Sequence, residues 1–196
     1  MSAPISRCSD QELAALARAG HEAAFRELLS RYKQPVYRLI VKHVGDADEA
    51  LDLTQESFVA GFSAIGRYDS ERPFRIWISQ IAINKCRDWA RRRKVRAFFS
   101  RALPMETVHY MASDAPSPDE ETSAKSELAR VRAAIAALPQ SLREVLVLRA
   151  IEDYSQAEAA AVLNLSEKAV ETRLYRARAR LRELLAETPE TSRYPT

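Results

Sequence analysis

The sequence predicts an all-α protein of two small helical domains joined by an acidic flexible linker, and three observations carry that prediction. Only four glycines occur in 196 residues, and the long runs are rich in Ala, Leu, Arg and Glu, which lose little on entering a helix. Apolar residues recur at spacings of three and four in each long segment. Between 103 and 124 the stretch LPMETVHYMASDAPSPDEETSA loses that period and combines three prolines with Ser, Thr, Asp and Glu. The expected organisation is an N-terminal domain over 8–102, a linker over 103–124, a C-terminal domain over 125–187 and a loose tail over 188–196.

In the first domain, Ser9-Asp10-Gln11-Glu12 is a capping box. A helix bearing Phe25, Leu28, Leu29 and Tyr32 follows, and Pro35 is expected to start a new one carrying Val36, Leu39, Ile40 and Val44, which Gly45 ends. From Asp46 to Gly61 a further amphipathic helix has Leu51, Leu53, Phe58 and Val59 at apolar positions. Asp48, Glu49, Asp52, Gln55 and Glu56 cluster towards its start, where carboxylates offset the helix dipole. Residues 66–73 have loop chemistry. A long helix from Phe74 to about Val95 then puts Phe74, Ile78, Ile81, Ala82 and Trp89 on one face, with Gln80, Asn84, Arg87 and Arg91 opposite or on its flank. Lys85 to Arg101 holds eight basic side chains and one acidic one. Trp77 and Trp89 are expected in the core.

In the second domain, Ser155-Gln156-Ala157-Glu158 is another capping box, opening a short helix to about Leu163. Asn164-Leu165 makes the turn, Asn being able to take the left-handed conformation that glycine usually supplies. Ser166 is a suitable N-cap for a helix from Glu167 to about Leu185. Its buried stripe is Val170, Leu174, Ala177, Leu181 and Leu184. The opposite face carries Lys168, Thr172, Tyr175, Arg176 and Ala179, with Glu171 and Arg173 on the flanks. Such a helix-turn-helix can enter the major groove, where base edges differ in donors and acceptors. Arg176, Lys168, Thr172 and Glu171 are the expected base readers, while Arg173, Arg178, Arg180 and Arg182 anchor phosphates or pack at the flank.

Composition narrows the function. Net charge is +3, unevenly spread: residues 104–124 hold five acidic side chains and no basic one, between two basic blocks. No run approaches the roughly 18 apolar residues of a membrane span, and the N-terminus lacks a signal-peptide core, so direct membrane insertion is not expected and the cytoplasm is the expected location. Cys8 and Cys86 lack metal-ligand neighbours, and His21, His43 and His109 are scattered, so no metal or other cofactor is expected. No phosphate-binding glycine loop or nucleophile-base pattern points to an enzyme, and no catalytic residue is assigned.

Three blocks, DLTQESFVAGF at 52–62, FRIWISQIAINKCRDWARRRK at 74–94 and LPQSLREVLVLRAIEDYSQAEAAAVLNLSEKAVETRLYRARARL at 138–181, together resemble the RNA polymerase sigma factors of the extracytoplasmic-function type. The resemblance implies that Asp52, Gln55 and Glu56 contact the core polymerase. It implies that Asn84, Arg87, Asp88, Arg91 and Arg92 approach the minus-ten promoter element, and that the helix-turn-helix reads the minus-thirty-five element through Lys168, Glu171, Thr172, Arg173, Tyr175 and Arg176. It further implies an anti-sigma protein that covers the polymerase-binding faces, often at a membrane. The chain departs from the family pattern at Asn164 in the turn and at Lys168-Ala169-Val170 in the recognition helix.

Opening about ten base pairs at about 1.4 kcal/mol of stacking per step costs more than ten kcal/mol, beyond what a few base contacts of about 1–3 kcal/mol leave over. The chain is therefore expected to act with the polymerase, holding flipped bases in a pocket between the 66–73 loop and the helix near Asn84. The acidic linker, through Asp119, Glu120 and Glu121, would stand in for phosphates in the enzyme's RNA path. A helix-turn-helix regulator acting without polymerase, or a sigma-like decoy for an anti-sigma protein, are the rivals. The first leaves the 52–62 and 74–94 blocks without a role, and the second leaves the basic helix without one.

Overall fold

The structure, a computed structural model, describes residues 4–102 and 122–187. Most of the predicted linker, with Asp119, Glu120 and Glu121, and the tail lie outside the described residues. Eight α-helices are found among the described residues: α1 (Asp10–Arg18), α2 (Glu22–Val44), α3 (Ala47–Ser63), α4 (Phe74–Ala102), α5 (Thr122–Ala137), α6 (Gln140–Ala150), α7 (Gln156–Leu163) and α8 (Glu167–Glu187).

Local chemistry explains most boundaries. Ser9 and Ser155 each accept from the amide three residues on and receive the reciprocal Glu12 or Glu158 carboxylate, completing both capping boxes. Each such cap contributes about 1 kcal/mol. Asp46 caps α3 through the Glu49 amide at 3.0 Å, and Gly45 ends α2 at φ 77°. Asn164 stands at φ 56°, ψ 53°, the left-handed turn expected of it, and Ser166 accepts from the Ala169 amide at 3.2 Å.

Three boundaries differ from expectation. Pro35 starts no new helix but lies inside the continuous α2. It removes one hydrogen bond, worth with its steric clash about 3 kcal/mol, and burial of Leu28, Val36, Leu39 and Ile40 on both sides of it holds the helix through. α4 runs past Val95 to Ala102, and from Val95 to Phe99 its side chains are exposed rather than packed in the core. α5 begins at Thr122, so the last three residues assigned to the linker are helical.

In the first domain α1, α2, α3 and α4 pack around Leu13, Leu28, Leu39, Ile40, Leu53, Phe58, Phe74 and Ile78. α3 approaches α4 closely at Gly61, where a Cβ would meet Ile78 Cδ1 at 3.0 Å. Buried Thr54 and Ser57 are satisfied within α3, their hydroxyls donating to the Ala50 and Leu53 carbonyls at 2.6 Å. In the second domain Leu138, Leu146 and Ala177 make a small core with Leu142, Leu174, Leu181 and Leu184. The stripe expected on α8 is thus confirmed, with Val170 and Ala177 fully buried.

The two domains also pack on each other. α7 lies along α4 and α6 meets α2, so that Val145, Val147, Leu148, Tyr154 and Val162 join the same apolar core as the first domain. This is why α6 buries five consecutive residues, Glu144 to Leu148, and why Ile76, Ile83 and Cys86 on α4 are buried beyond the predicted face.

Candidate functional site

Three surfaces hold the residues singled out from the sequence. On α3, Asp52, Gln55 and Glu56 are all exposed. Of the apolar positions read on this helix, Leu53 and Phe58 are buried, whereas Leu51 and Val59 are 45% and 67% exposed. The inward face is set by Leu53, Thr54, Ser57, Phe58 and Gly61, and at 100° per residue Leu51 and Val59 fall outside it. α3 therefore presents an acidic stripe flanked by two apolar side chains, a composition suited to a protein partner.

On α4, Asn84, Asp88, Arg91 and Arg92 are exposed and Arg87 is half-buried. Trp89 is buried and its indole donates to Glu49 Oε2 at 2.8 Å, tying α4 to the start of α3. Trp77 is partly buried, packed on Tyr68 and Phe74, so both tryptophans take core roles as expected. Lys85 reaches Glu56 at 3.2 Å across the two helices. A groove of about 860 Å³ between α3 and α4 is lined by Asp52, Glu56, Asp88, Arg91, Arg92 and neighbours, so residues assigned to polymerase and to DNA border one cleft. Asn84 lies about 15 Å along α4 from the end of the 66–73 loop, at 1.5 Å per residue, while Tyr68 of that loop reaches further along α4 to pack on Trp77. That loop is pinned by the Tyr68 hydroxyl donating to the Arg72 carbonyl and by Gln11 donating to the Ser70 carbonyl, each at 2.6 Å.

On α8, Lys168, Glu171, Thr172, Tyr175 and Arg176 are exposed on the face opposite Val170 and Ala177, and Arg173 is half-buried on the flank. Tyr175 is 73% exposed, unusual for so large an apolar ring. Lys168 pairs with Glu171 at 2.8 Å, and the Thr172 hydroxyl donates to the Lys168 carbonyl at 2.9 Å, so these two contacts order the helix start without covering its outer face.

A fourth constellation went unread in the sequence. Arg87 donates through Nε and Nη2 to both carboxylate oxygens of Glu144 on α6, at 2.9 and 2.7 Å, and through Nη1 to Asn84 Oδ1 at 3.3 Å. The carboxylate holds the guanidinium pKa above its ordinary value. Beside it Ser79 and Tyr154 share a buried hydrogen bond of 2.6 Å, Arg75 lies 3.8 Å over the Tyr154 ring while donating to the Glu152 carbonyl at 2.7 Å, and Lys42 pairs with Glu152. The available signal was Glu144 itself, a carboxylate amid the apolar run LREVLVLR, which needs a cation if buried. Cys86, also in this layer, is a free thiol that burial pushes up to about 12, so it is not poised for redox chemistry.

Among the described residues no helix is long and apolar enough to cross a membrane.

Two family models match the chain, Sigma-70 region 2 over residues 28–96 and Sigma-70 region 4 over residues 128–181. The RNA polymerase sigma factor CnrH of Cupriavidus metallidurans is 41% identical over 180 residues, covering 90% of this chain and 94% of that protein. The ECF RNA polymerase sigma factor SigW of Bacillus subtilis is 28% identical over 170 residues, covering 85% and 91%. The solved structure of CnrH in complex with the cytosolic domain of CnrY superposes with a TM-score of 0.68 at 37% identity, over 92% of this chain and 99% of that one. With both helical domains matched in order and nearly the whole length aligned, the chain belongs to the RNA polymerase sigma factors of the extracytoplasmic-function type.

Proposed function

We propose the following division of roles within this sigma factor. The α3 stripe of Asp52, Gln55 and Glu56, with Leu51 and Val59 as apolar anchors, docks on core RNA polymerase. Asn84, Arg87, Asp88, Arg91 and Arg92 on α4 face the minus-ten element, while Lys168, Glu171, Thr172, Arg173, Tyr175 and Arg176 on α8 face the minus-thirty-five element. The observation that carries the reading is the outward face of α8: a capped helix whose buried side is fixed by Val170 and Ala177 leaves Lys168, Glu171, Thr172, Tyr175 and Arg176 exposed on its other side, with Arg173 on the flank. The loop at 66–73 and the helix near Asn84 together hold flipped non-template bases of the separated strand. The chain acts in the cytoplasm. An anti-sigma protein comparable to the CnrY domain seen with CnrH covers the polymerase-binding face.

Run-off transcription with purified core polymerase over a genomic promoter pool tests this. Specific transcripts that vanish with the Arg176→Ala variant are the expected result. A chain that never joins core enzyme, with no inhibitor bound, overturns it. A footprint on DNA without polymerase would favour a regulator acting alone.

A further inference from the structure

The outward row of α4 changes character along its length. Asn84, Asp88, Arg91, Val95 and Phe98 follow one another at spacings of four and three, so they share one face of the helix, and all five are exposed. The row begins polar, with Arg91 paired to Asp88 at 3.1 Å. It ends apolar: Val95, Phe98 and Phe99 are 50%, 70% and 58% exposed, and the two rings meet edge to face with centroids 5.8 Å apart. The stretch matched to Sigma-70 region 2 stops at residue 96, short of both phenylalanines.

Three large apolar side chains side by side in water mark a contact surface, and their surroundings say with what. Residues 91–99 hold five basic side chains, Arg91, Arg92, Arg93, Lys94 and Arg96, and no acidic one. Arg93 lies back over the Trp89 ring at 5.2 Å. At 100° per residue Lys94 falls on one side of the apolar ridge and Arg92 and Arg96 on the other. No carboxylate pairs with these three among the described residues. An apolar ridge between two rows of cations matches the major groove of DNA, where phosphates form both walls and the C5 methyl of thymine is the apolar group on the floor. A lipid surface shares that charge, but this row runs on without a break from Asn84 and Arg91, the residues set against the promoter.

We propose that Val95, Phe98 and Phe99 form a thymine-reading ridge on the double-stranded DNA adjoining the minus-ten element, with Arg92, Lys94 and Arg96 on the flanking phosphates. The ridge rests on the placing of Asn84 and Arg91 at that element given above. Phe98 lies about 21 Å along α4 from Asn84 at 1.5 Å per residue, which is about six base pairs at 3.4 Å. The methyl contacts therefore fall about six pairs from the position that Asn84 meets. They add a sequence preference through apolar contact alone, outside the element itself.

The test uses the full chain with core polymerase and a promoter recovered by run-off transcription, rebuilt with about ten base pairs randomised on either side of the minus-ten element to cover that distance. Wild type should enrich thymine about six pairs from the Asn84 position, and the triple variant V95S/F98S/F99S, altered only at exposed positions, should not. Replacing that thymine by deoxyuridine removes the methyl and no hydrogen-bonding group. It should weaken the wild-type complex about four-fold, the share of one buried methyl group, and leave the variant's complex unchanged. A pool without thymine preference at that distance overturns the ridge, as does a deoxyuridine effect that is absent in wild type or equal in the variant. A variant that loses capture of core polymerase without DNA also overturns it, because the patch is then a protein contact. Asn84→Ala separates the two readings: if it alters no preference within the minus-ten element while the methyl effect persists, the placing of Asn84 has failed and the ridge stands on the methyl effect.

Discussion

Acidification should unfold this protein through His43 in a way that a single substitution removes. His43 lies on α2 against the second domain, fully buried, with Nδ1 donating to the Leu39 carbonyl at 2.7 Å and Nε2 without a partner. Burial lowers its pKa to about 4, while Glu144 opposes that shift and Arg143 and Arg87 add to it. The ring is therefore neutral in the folded state, whereas in the unfolded chain it takes up a proton near pH 6.5. Between pH 6.5 and about 4 the unfolded state binds the extra proton, so stability falls as pH falls and levels off below that window. At about 1.4 kcal/mol per pH unit, the loss is about 3 kcal/mol, a large share of the 5–15 kcal/mol that hold typical domains. Urea unfolding at pH 7 and pH 4, for wild type and His43→Leu, isolates the effect, since carboxylates titrate alike in both proteins. The wild type should lose about 3 kcal/mol more than the variant over this interval. Equal losses would refute the argument, because they would mean that the ring is protonated without penalty and is not in a dry site.

Gly61→Val should cost the first domain about 2 kcal/mol by forcing its side chain into Ile78 and Trp77, read as a thermal midpoint lower by roughly 10 °C. Asp52→Ala and Glu56→Ala should each weaken capture of core polymerase in a pull-down while leaving helical content unchanged, and Val59→Glu should do so more strongly by removing an apolar anchor that is 67% exposed. Arg176→Ala should reduce binding to the recognised minus-thirty-five duplex by about 1–3 kcal/mol, measured by fluorescence anisotropy, with minus-ten contacts retained.

What could be read from the sequence was local. The capping boxes at Ser9 and Ser155, the left-handed Asn164 and the stripe on α8 depend on neighbours within a few residues, and each stands where its residue chemistry puts it. The three resemblance blocks led to the family by the same kind of short-range pattern. Pro35 misled because a local stop signal lost to burial on either side of it. Leu51 and Val59 are apolar yet exposed, because the inward face of α3 is chosen by which side meets α2 and α4, not by hydrophobicity alone.

The packing of one domain on the other could not be read in that way. Arg87 and Glu144 are 57 residues apart, and Ser79 and Tyr154 are 75 apart, with no periodicity linking them. Arg87 looked like one more member of a basic, solvated flank, and only the fold revealed that it faces a buried carboxylate from the other domain. Side-chain identity and spacing determine which helices form and which of their faces are apolar. Which face meets which neighbour, and hence which charges are paired and which remain free for a partner, is decided by long-range burial, where the free energy of a contact belongs to both surfaces at once.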